Sequence, residues 1–181
     1  TAFLPYIIWI ELRWKMKRHA SCTIENDVNN TEAAAPIATN EELNTIVKDY
    51  ERAEFLAVDT EFIRERTYYP QLCLIQISDG IKAAAIDPLA KNLDLSPIWK
   101  LMRNQNITKV FHAGSQDMEI FLHLMGDLPQ PIYDTQIAAM VCGLGDQVGY
   151  DKLVKSMLDH DIDKTSRFTD WSKRPLSNRQ I

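Results

Sequence analysis

Three strand-like segments follow one another in the middle of the chain, and their short connections constrain the fold more than any other feature. Residues 55–62 (FLAVDTEF) form an apolar run that ends in acids, and residues 71–78 (QLCLIQIS) alternate between apolar and polar side chains. Residues 82–87 follow an Asp79-Gly80 turn signal. Segments of this length and pattern are typical of buried strands. Because the links are short, we expect the three strands to form an antiparallel meander.

Helical and strand-like segments alternate after the meander. The sequence predicts helices over residues 97–103, 115–126, 134–142 and 150–158, and short strands over 108–111 and 131–133. Ser96, Ser115 and Asp134 are the expected N-caps of three of these helices. The whole pattern indicates an α/β fold in which helices flank a five-stranded mixed sheet.

The first 38 residues differ from the rest of the chain. Residues 25–36 (ENDVNNTEAAAP) are small and polar, and they predict a linker or a mobile arm. Thr39 begins a capping-box pattern, which predicts a helix over residues 40–52. We therefore expect an N-terminal arm over residues 1–38 and one folded domain, incomplete at its C-terminus, over residues 39–181.

Composition favours a cytoplasmic protein without membrane contact. The apolar run over residues 3–10 is shorter than the roughly 18 residues that a membrane span needs. Basic residues follow this run, whereas a signal peptide carries its charge before the apolar segment. The three cysteines are widely spaced and include no C-x-x-C pair, so we expect no zinc site and a reducing compartment.

Three acidic residues are candidates for catalysis. Asp59 and Glu61 lie two apart on the first predicted strand, so both carboxylates project from the same face. Asp117 lies near the start of the helix that follows the fourth strand. Each observation has a simpler explanation, because a strand end can reach solvent and an aspartate in a first helical turn can be a favourable dipole partner.

Taken together, the three acids predict a metal site at one end of the sheet. Clustered carboxylates without Cys or His ligands suit Mg²⁺ or Mn²⁺. Two such ions about 4 Å apart form the clamp used for in-line phosphoryl displacement. The net charge of −5 argues against a basic nucleic-acid-binding scaffold, but it does not exclude a nuclease whose metal ions supply positive charge.

Seven short strings along the chain carry a family resemblance. In order, they are VDTEF (58–62), RTYYPQLCLIQ (66–76), IDPL (86–89), HAGSQD (112–117), LPQPIYDTQ (128–136), TDW (169–171) and RPL (174–176). With these strings the chain resembles the ribonuclease D exonucleases of the DEDD superfamily over about residues 40–181. The resemblance implies a ribonuclease-H-like fold with a five-stranded mixed sheet.

The resemblance also implies a function. It implies a 3′-5′ exoribonuclease that removes nucleotides from RNA 3′ ends, such as those of tRNA precursors and small structured RNAs, and releases 5′-monophosphates. Its cofactors would be two divalent metal ions, Mg²⁺ or Mn²⁺. Asp59 would bridge both ions, Glu61 would bind the ion that carries the attacking water, and Asp117 would hold the second, directly or through water. No obligate protein partner is expected.

The chain departs from the family pattern at its end. The third motif of the family, a tyrosine and an aspartate four residues apart on a helix, follows a string like the one over residues 174–180. The chain ends at Ile181, where Ser177 would cap the first turn of such a helix. Because catalytic groups that act as a unit fail together, we expect the 181-residue chain itself to have little or no activity.

Further residues are candidates for contact with RNA. Basic and aromatic residues follow the acidic strand, and this mixture suits phosphate contact and base stacking. A solvated hairpin loop with core-facing tyrosines would explain the same residues. The candidates for substrate contact are Phe62, Arg64, Arg66, Tyr68, Gln76, His112, Lys164 and Arg167.

Two other functions remain open. A DNA-directed 3′-5′ exonuclease of the same superfamily would share the three acids. A catalytically dead RNA-binding or assembly module would lack the third motif. The strings over residues 68–76 and 134–136 favour the RNA enzymes by resemblance.

Overall fold

A five-stranded mixed sheet forms the centre of the fold. The computed structural model of the chain describes residues 35–65, 67–162, 169–177 and 180. The strands are β1 (Phe55–Ile63), β2 (Gln71–Ser78), β3 (Ala83–Ile86), β4 (Thr108–Phe111) and β5 (Ile132–Asp134). Their spatial order is β3-β2-β1-β4-β5, with β1–β2 and β2–β3 antiparallel and β1–β4 and β4–β5 parallel. The predicted meander and mixed sheet are confirmed, and β1 is the central strand.

Helices flank the sheet close to the predicted positions. Those in the described part of the chain are α1 (Asn40–Tyr50), α2 (Ser96–Arg103), α3 (Ser115–Met125), α4 (Thr135–Val141) and α5 (Tyr150–Leu158). None of these described helices has the length and apolar character that a membrane crossing requires. The predicted turn after Ser177 lies partly outside the described residues.

Two predicted helix caps are confirmed. The Thr39 hydroxyl accepts a hydrogen bond from the backbone N–H of Glu42, and the Glu42 carboxylate accepts one from the backbone N–H of Thr39. The Asp134 carboxylate accepts from the backbone N–H groups of Gln136 and Ile137. Side-chain oxygens therefore satisfy N–H groups that the first turns of α1 and α4 leave unpaired.

The prediction that Ser96 and Ser115 cap their helices is wrong. The Ser96 residue lies inside α2, and its hydroxyl donates to the Asp94 carboxylate at 2.7 Å. Helix α3 begins after Gly114, and a Cβ at that position would lie 2.8 Å from Cβ of Phe111. Close packing of the helix start against β4 therefore requires glycine where a capping side chain was expected.

The sheet separates two apolar layers. On one face, α1, α2 and α3 pack against alternate residues of β1, including Leu56 and Val58. On the other face, α5 and part of α4 pack against Ala57 and Val110. Successive residues of β1 thus point to different layers, as strand geometry requires.

A bulge in β2 interrupts this alternation beside the acids of β1. Glu61 pairs with Leu74 whereas Phe62 pairs with Leu72, so Cys73 has no register partner in β1. The extra residue changes which face the strand presents. Leu72 therefore packs under α1–α3, while Leu74 packs in a separate cluster with the C-terminal segment.

Strand pairing begins before the predicted domain boundary. Ile37 forms a parallel bridge with Ile86 at the edge of β3. Its N–H donates to the carbonyl of Ala85 at 2.8 Å, and its carbonyl accepts from the N–H of Asp87 at 2.9 Å. The arm predicted over residues 1–38 therefore includes a residue of the sheet edge, while residues 1–34 lie outside the described part of the chain.

Lys109 of β4 is fully buried and ties two loops together. Its ammonium donates to the carbonyls of Asn104 and Ile107 at 2.6 Å each, and also to the carbonyl of Gln130. Each ammonium hydrogen therefore has an acceptor. Burial lowers the pKa of Lys109 to about 8.

We predict that Lys109→Met lowers the free energy of unfolding by roughly 2–4 kcal/mol, because three backbone carbonyls lose their charged donor. Urea denaturation measures the change. Lys91→Met removes an exposed lysine and should alter stability by less than about 0.5 kcal/mol. Equal free energies of unfolding for the two variants would contradict a stabilising role for the buried Lys109 ammonium.

Candidate metal centre

Asp59 and Glu61 lie on the same face of β1, as their spacing predicted. Strand alternation puts both on the face of Ala57, opposite to that of Val58, and both are partly buried. In the antiparallel register Asp59 lies opposite Gln76, which is 5% exposed. Side chains of directly opposed residues share a face, so Gln76 is the polar neighbour of Asp59 in β2.

Asp117 lies in the first turn of α3 and is 9% exposed. Its Oδ1 accepts a 2.5 Å hydrogen bond from the hydroxyl of Thr60, the residue between the two acids of β1. The side chain of Thr60 points to the α3 side of the sheet, while its N–H donates to the Asp59 carboxylate at 3.1 Å. Thr60 thus connects Asp117 to the acid pair, and its hydroxyl holds the Asp117 carboxyl on the α3 side of the sheet.

Burial and neighbouring negative charge raise the pKa values of these carboxyls. Burial, with the charge of Asp117, raises the pKa of Asp59 to about 7. Burial, with the charges of Asp59 and Asp117, raises the pKa of Glu61 to about 8. Burial also raises the pKa of Asp117 to about 6, against the opposing hydrogen bond from Thr60. The three groups are therefore within electrostatic reach, and a cation among them would relieve the repulsion.

The fit of this site to a divalent metal is one of chemistry and charge. The donors are carboxylate oxygens, which Mg²⁺ and Mn²⁺ prefer. Among the described residues, however, no group of three or more Asp, Glu, His and Cys side chains converges closely enough to hold a metal ion. The Asp117 carboxyl bonded to Thr60 accounts for part of this separation, because it is directed to the other side of β1.

Two other predicted residues make packing contacts. His112 Nδ1 lies 2.9 Å from Oγ1 of Thr135, whose hydroxyl donates to the carbonyl of Phe111 at 3.1 Å. The His112 ring meets Tyr150 edge-on, with 5.3 Å between the ring centres. Phe62 is half-buried and packs against the apolar layer under α1–α3. Contact with a substrate stays a prediction for both His112 and Phe62.

The loop that follows β1 is fastened to α3. The Arg64 guanidinium donates to both carboxylate oxygens of Glu119 at 2.8 Å, and to the carbonyl of Tyr68 at 3.2 Å. Tyr68 is 80% exposed, so the alternative of a core-facing tyrosine is wrong at this position. Three other predicted basic contacts, Arg66, Lys164 and Arg167, lie outside the described residues.

A contact that the sequence did not predict fixes the C-terminal segment beside this face. Arg174 pairs with both carboxylate oxygens of Asp87, at 2.6 and 2.7 Å. Its Nη2 also donates at 2.7 Å to the carbonyl of Cys73, the bulge residue. Trp171 then packs with Leu74, next to the acid pair. Asp87 and Arg174 both lie in strings of the family resemblance, but no local sequence signal indicated that these two residues would form a pair.

Comparison with known proteins identifies the class that this fold and these acids define. Residues 34–181 match a family model described as 3′-5′ exonuclease. The chain belongs to the 3′-5′ exonuclease family. The predicted ribonuclease-H-like fold is confirmed, since solved structures of such exonucleases share it.

Within that family, the chain is similar to ribonuclease D. It is 60% identical to Ribonuclease D of Zymomonas mobilis over 131 residues, which are 72% of this chain and 34% of that protein. The structure of Escherichia coli RNase D matches with a TM-score of 0.78 and 44% identity, over 82% of this chain and 40% of that one. Brucella melitensis NrnC, solved with bound Mg²⁺, matches with a TM-score of 0.63 and 30% identity, over 73% of this chain and 65% of that one. The chain spans about a third of the length of the curated relatives it matches.

We predict that the metal-free chain loses stability as the pH rises from about 5 to 8. Carboxyls of the unfolded chain titrate near pH 4, so above that pH the folded state binds more protons than the unfolded state. This contribution to stability is lost as the pH passes about 7 for Asp59 and about 8 for Glu61. Thermal unfolding in EDTA at a series of pH values measures it.

Two variants serve as controls for this pH dependence. Asp59→Asn removes one titrating group, so its Tm should vary less with pH than that of the wild type and exceed it at pH 8. Asp146→Asn changes an exposed carboxylate on a loop and should leave the wild-type profile unchanged. A wild-type Tm that rises steadily over this pH range would contradict the raised pKa values.

We predict that Arg174→Ala lowers the free energy of unfolding by roughly 1–3 kcal/mol, because it removes the ion pair with Asp87 and the donor to Cys73. The C-terminal segment should detach, and the emission of the buried Trp171 should shift to longer wavelength, as judged against a Trp171→Phe background. Lys173→Ala changes the exposed neighbour and should leave the emission unaltered. An unshifted spectrum in Arg174→Ala would mean that the segment is held by other contacts.

Proposed function

We propose that this chain is the catalytic part of a 3′-5′ exoribonuclease that removes nucleotides from RNA 3′ ends and releases 5′-monophosphates. The observation that carries the proposal is the placement of Asp59 and Glu61 on one face of the central strand, with Asp117 bonded to the Thr60 that lies between them. Buried carboxyls with raised pKa values cluster at functional sites, because a purely structural role gives no reason to retain their repulsion.

In this proposal the acids hold divalent metal ions. Asp59 would help to hold both ions, Glu61 would help to hold one of them and Asp117 the other. Bound metal ions of this kind supply an activated water and stabilise the leaving oxygen of an in-line displacement. The N–H of Thr60 would orient Asp59, and the Asp117 carboxyl would leave the hydroxyl of Thr60 to reach the ions. Metal dependence is a property of the family, and NrnC has been solved with Mg²⁺.

The proposed substrates are tRNA precursors and other small structured RNAs, acted on in the cytoplasm without an obligate protein partner. Escherichia coli RNase D is described as an exoribonuclease involved in structured RNA processing, and NrnC has been solved bound to pGG. These relatives favour RNA over DNA as the substrate. Gln76 beside Asp59 and the exposed Tyr68 are the described residues best positioned for substrate contact.

A second candidate is a catalytically inactive RNA-binding or assembly module. One observation favours it, since no three ligating side chains converge among the described residues. If the Asp117 carboxyl stays on Thr60 when metal ions are offered, the three acids form no common centre. Metal binding therefore separates the two candidates before any assay of activity.

We predict that the chain binds Mn²⁺ and that Asp59→Asn and Glu61→Gln each weaken binding roughly tenfold or more, because each removes a carboxylate ligand. Titration calorimetry at pH 8 measures the affinity where Asp59 is largely ionised and Glu61 is about half ionised. Asp146→Asn is the matched control, with the same chemical change at an exposed position. Mn²⁺ binding that is absent, or that all three variants retain, would favour the inactive module.

Hydrolysis is the second part of the test, on a polypeptide that carries the complete set of motifs. Asp59→Asn or Glu61→Gln should reduce the release of 5′-monophosphates from a 3′-hydroxyl RNA oligonucleotide by roughly a thousandfold, since groups that act as a unit fail together. A DNA oligonucleotide of the same sequence should be degraded more slowly. Faster decay of the DNA would instead indicate a DNA-directed exonuclease, and wild-type decay of RNA in either variant would refute the site.

A further inference from the structure

An open groove with an aromatic wall lies along the C-terminal half of α3. It measures about 590 Å³, and its wall includes Tyr68, Tyr69, Pro88, Leu95, His123 and Leu124. The groove runs between the loop that follows β1, the C-terminal half of α3 and the segment after β3. Its size lies in the range of small-molecule pockets, and its surface is mainly apolar.

The three aromatic rings of this wall contact one another, and the ring of Tyr68 is the exposed one. Tyr69 lies flat on His123, with 3.9 Å between ring centres and 7° between ring planes. Tyr68 meets Tyr69 edge-on, with centres 4.9 Å apart and planes at 84°. The Tyr68 side chain is 80% exposed, so its ring faces are open to a flat partner. Exposed aromatic rings of this kind are the platforms on which unpaired bases stack.

The groove is connected to Asp117 through α3. The Arg64–Glu119 ion pair and the hydrogen bond from Arg64 to the carbonyl of Tyr68 hold the aromatic loop on α3. The same helix carries Asp117 in its first turn and His123 in its last. Six residues of helix separate these two positions by about 9 Å along the axis. The groove and Asp117 therefore lie along the same helix, fewer than two turns apart.

The charge of the groove also suits a polyanion. None of the described residues that line it is acidic, although the chain as a whole has a net charge of −5. The loop itself carries the exposed Glu65, while Glu119 of α3 pairs with Arg64. The hydroxyls of Thr67 and Tyr68 and the amide of Gln71 supply hydrogen-bonding groups without adding negative charge. The residues that line the groove therefore add no negative charge of their own that would repel a phosphate backbone.

We propose that this groove is a stacking subsite for an unpaired nucleobase of the RNA substrate, on the 5′ side of the nucleotide that occupies the acidic centre. The proposal rests on the function proposed above and adds a binding site to it. Tyr68 supplies the ring on which the base stacks, and the Tyr69–His123 pair holds that ring in place. Because stacking recognises the face of any base, the subsite takes single-stranded RNA with little sequence preference.

The test measures RNA binding by the 181-residue chain in EDTA, so that neither metal binding nor hydrolysis contributes. The probe is a 5′-fluorescein octa-adenylate RNA, and its fluorescence anisotropy gives the Kd. Tyr68→Ala should raise the Kd roughly tenfold, whereas Tyr68→Phe, which keeps the ring, should stay within about twofold of the wild type. Ile81→Ala is the matched control, since Ile81 is 90% exposed on the β2–β3 turn and should leave the Kd unchanged.

Probes with one abasic nucleotide at successive positions test whether a base is the group that is bound. At one internal position, loss of the base should weaken wild-type binding roughly tenfold but have little further effect on Tyr68→Ala, because both changes remove the same contact. Unchanged binding by Tyr68→Ala, equal loss in Ile81→Ala, or abasic probes that bind as well as the intact one would each overturn the subsite. Because these measurements need no metal, the subsite can stand where the metal centre fails, and the reverse also holds.

Discussion

The structure depends on one electrostatic constraint, the presence of two carboxyl groups on the same face of the central strand. Asp59 and Glu61 are two residues apart on β1, which has a strand neighbour on each side. Burial and neighbouring charge raise the pKa of both groups, so ionising either carboxyl is unfavourable in the folded chain without a bound cation. Strand geometry keeps both groups on the same face of β1.

The surroundings of β1 are arranged around that constraint. On one side of the sheet, an apolar layer with Val58 and Phe121 packs under α1–α3 and fixes the strand. On the side of the acids, Trp171 packs with Leu74 where the Arg174–Asp87 pair fastens the C-terminal segment. The apolar packing thus supplies stability that the acid pair reduces. Because strand residues alternate between faces, the packing residues and the acids of β1 lie on opposite faces.

Local patterns predicted most of the fold, because they report local physics. The run over residues 55–62 gave the buried strand that carries the acids, and the Asp134 cap was read directly from the residue type at a helix start. The bulge at Cys73 was not predictable, because residues 71–78 alternate regularly in sequence and the interruption exists only in the pairing with β1. The ion pair between Asp87 and Arg174 joins residues 87 positions apart, and local sequence carries no signal for such a contact.

The candidate site was predictable in its residue types but not in its geometry. Strand spacing places Asp59 and Glu61 together, whereas the position of the Asp117 carboxyl depends on its bond to Thr60. A hydrogen bond to a charged group contributes about 1.5–3 kcal/mol, so moving the Asp117 carboxyl to the acid pair has a cost of that order. A metal ion that binds all three carboxylates must offset this cost along with the repulsion among them. Thr60 therefore acts against assembly of the centre in the absence of metal, and its hydroxyl sets how strongly a cation must bind before the third carboxylate joins.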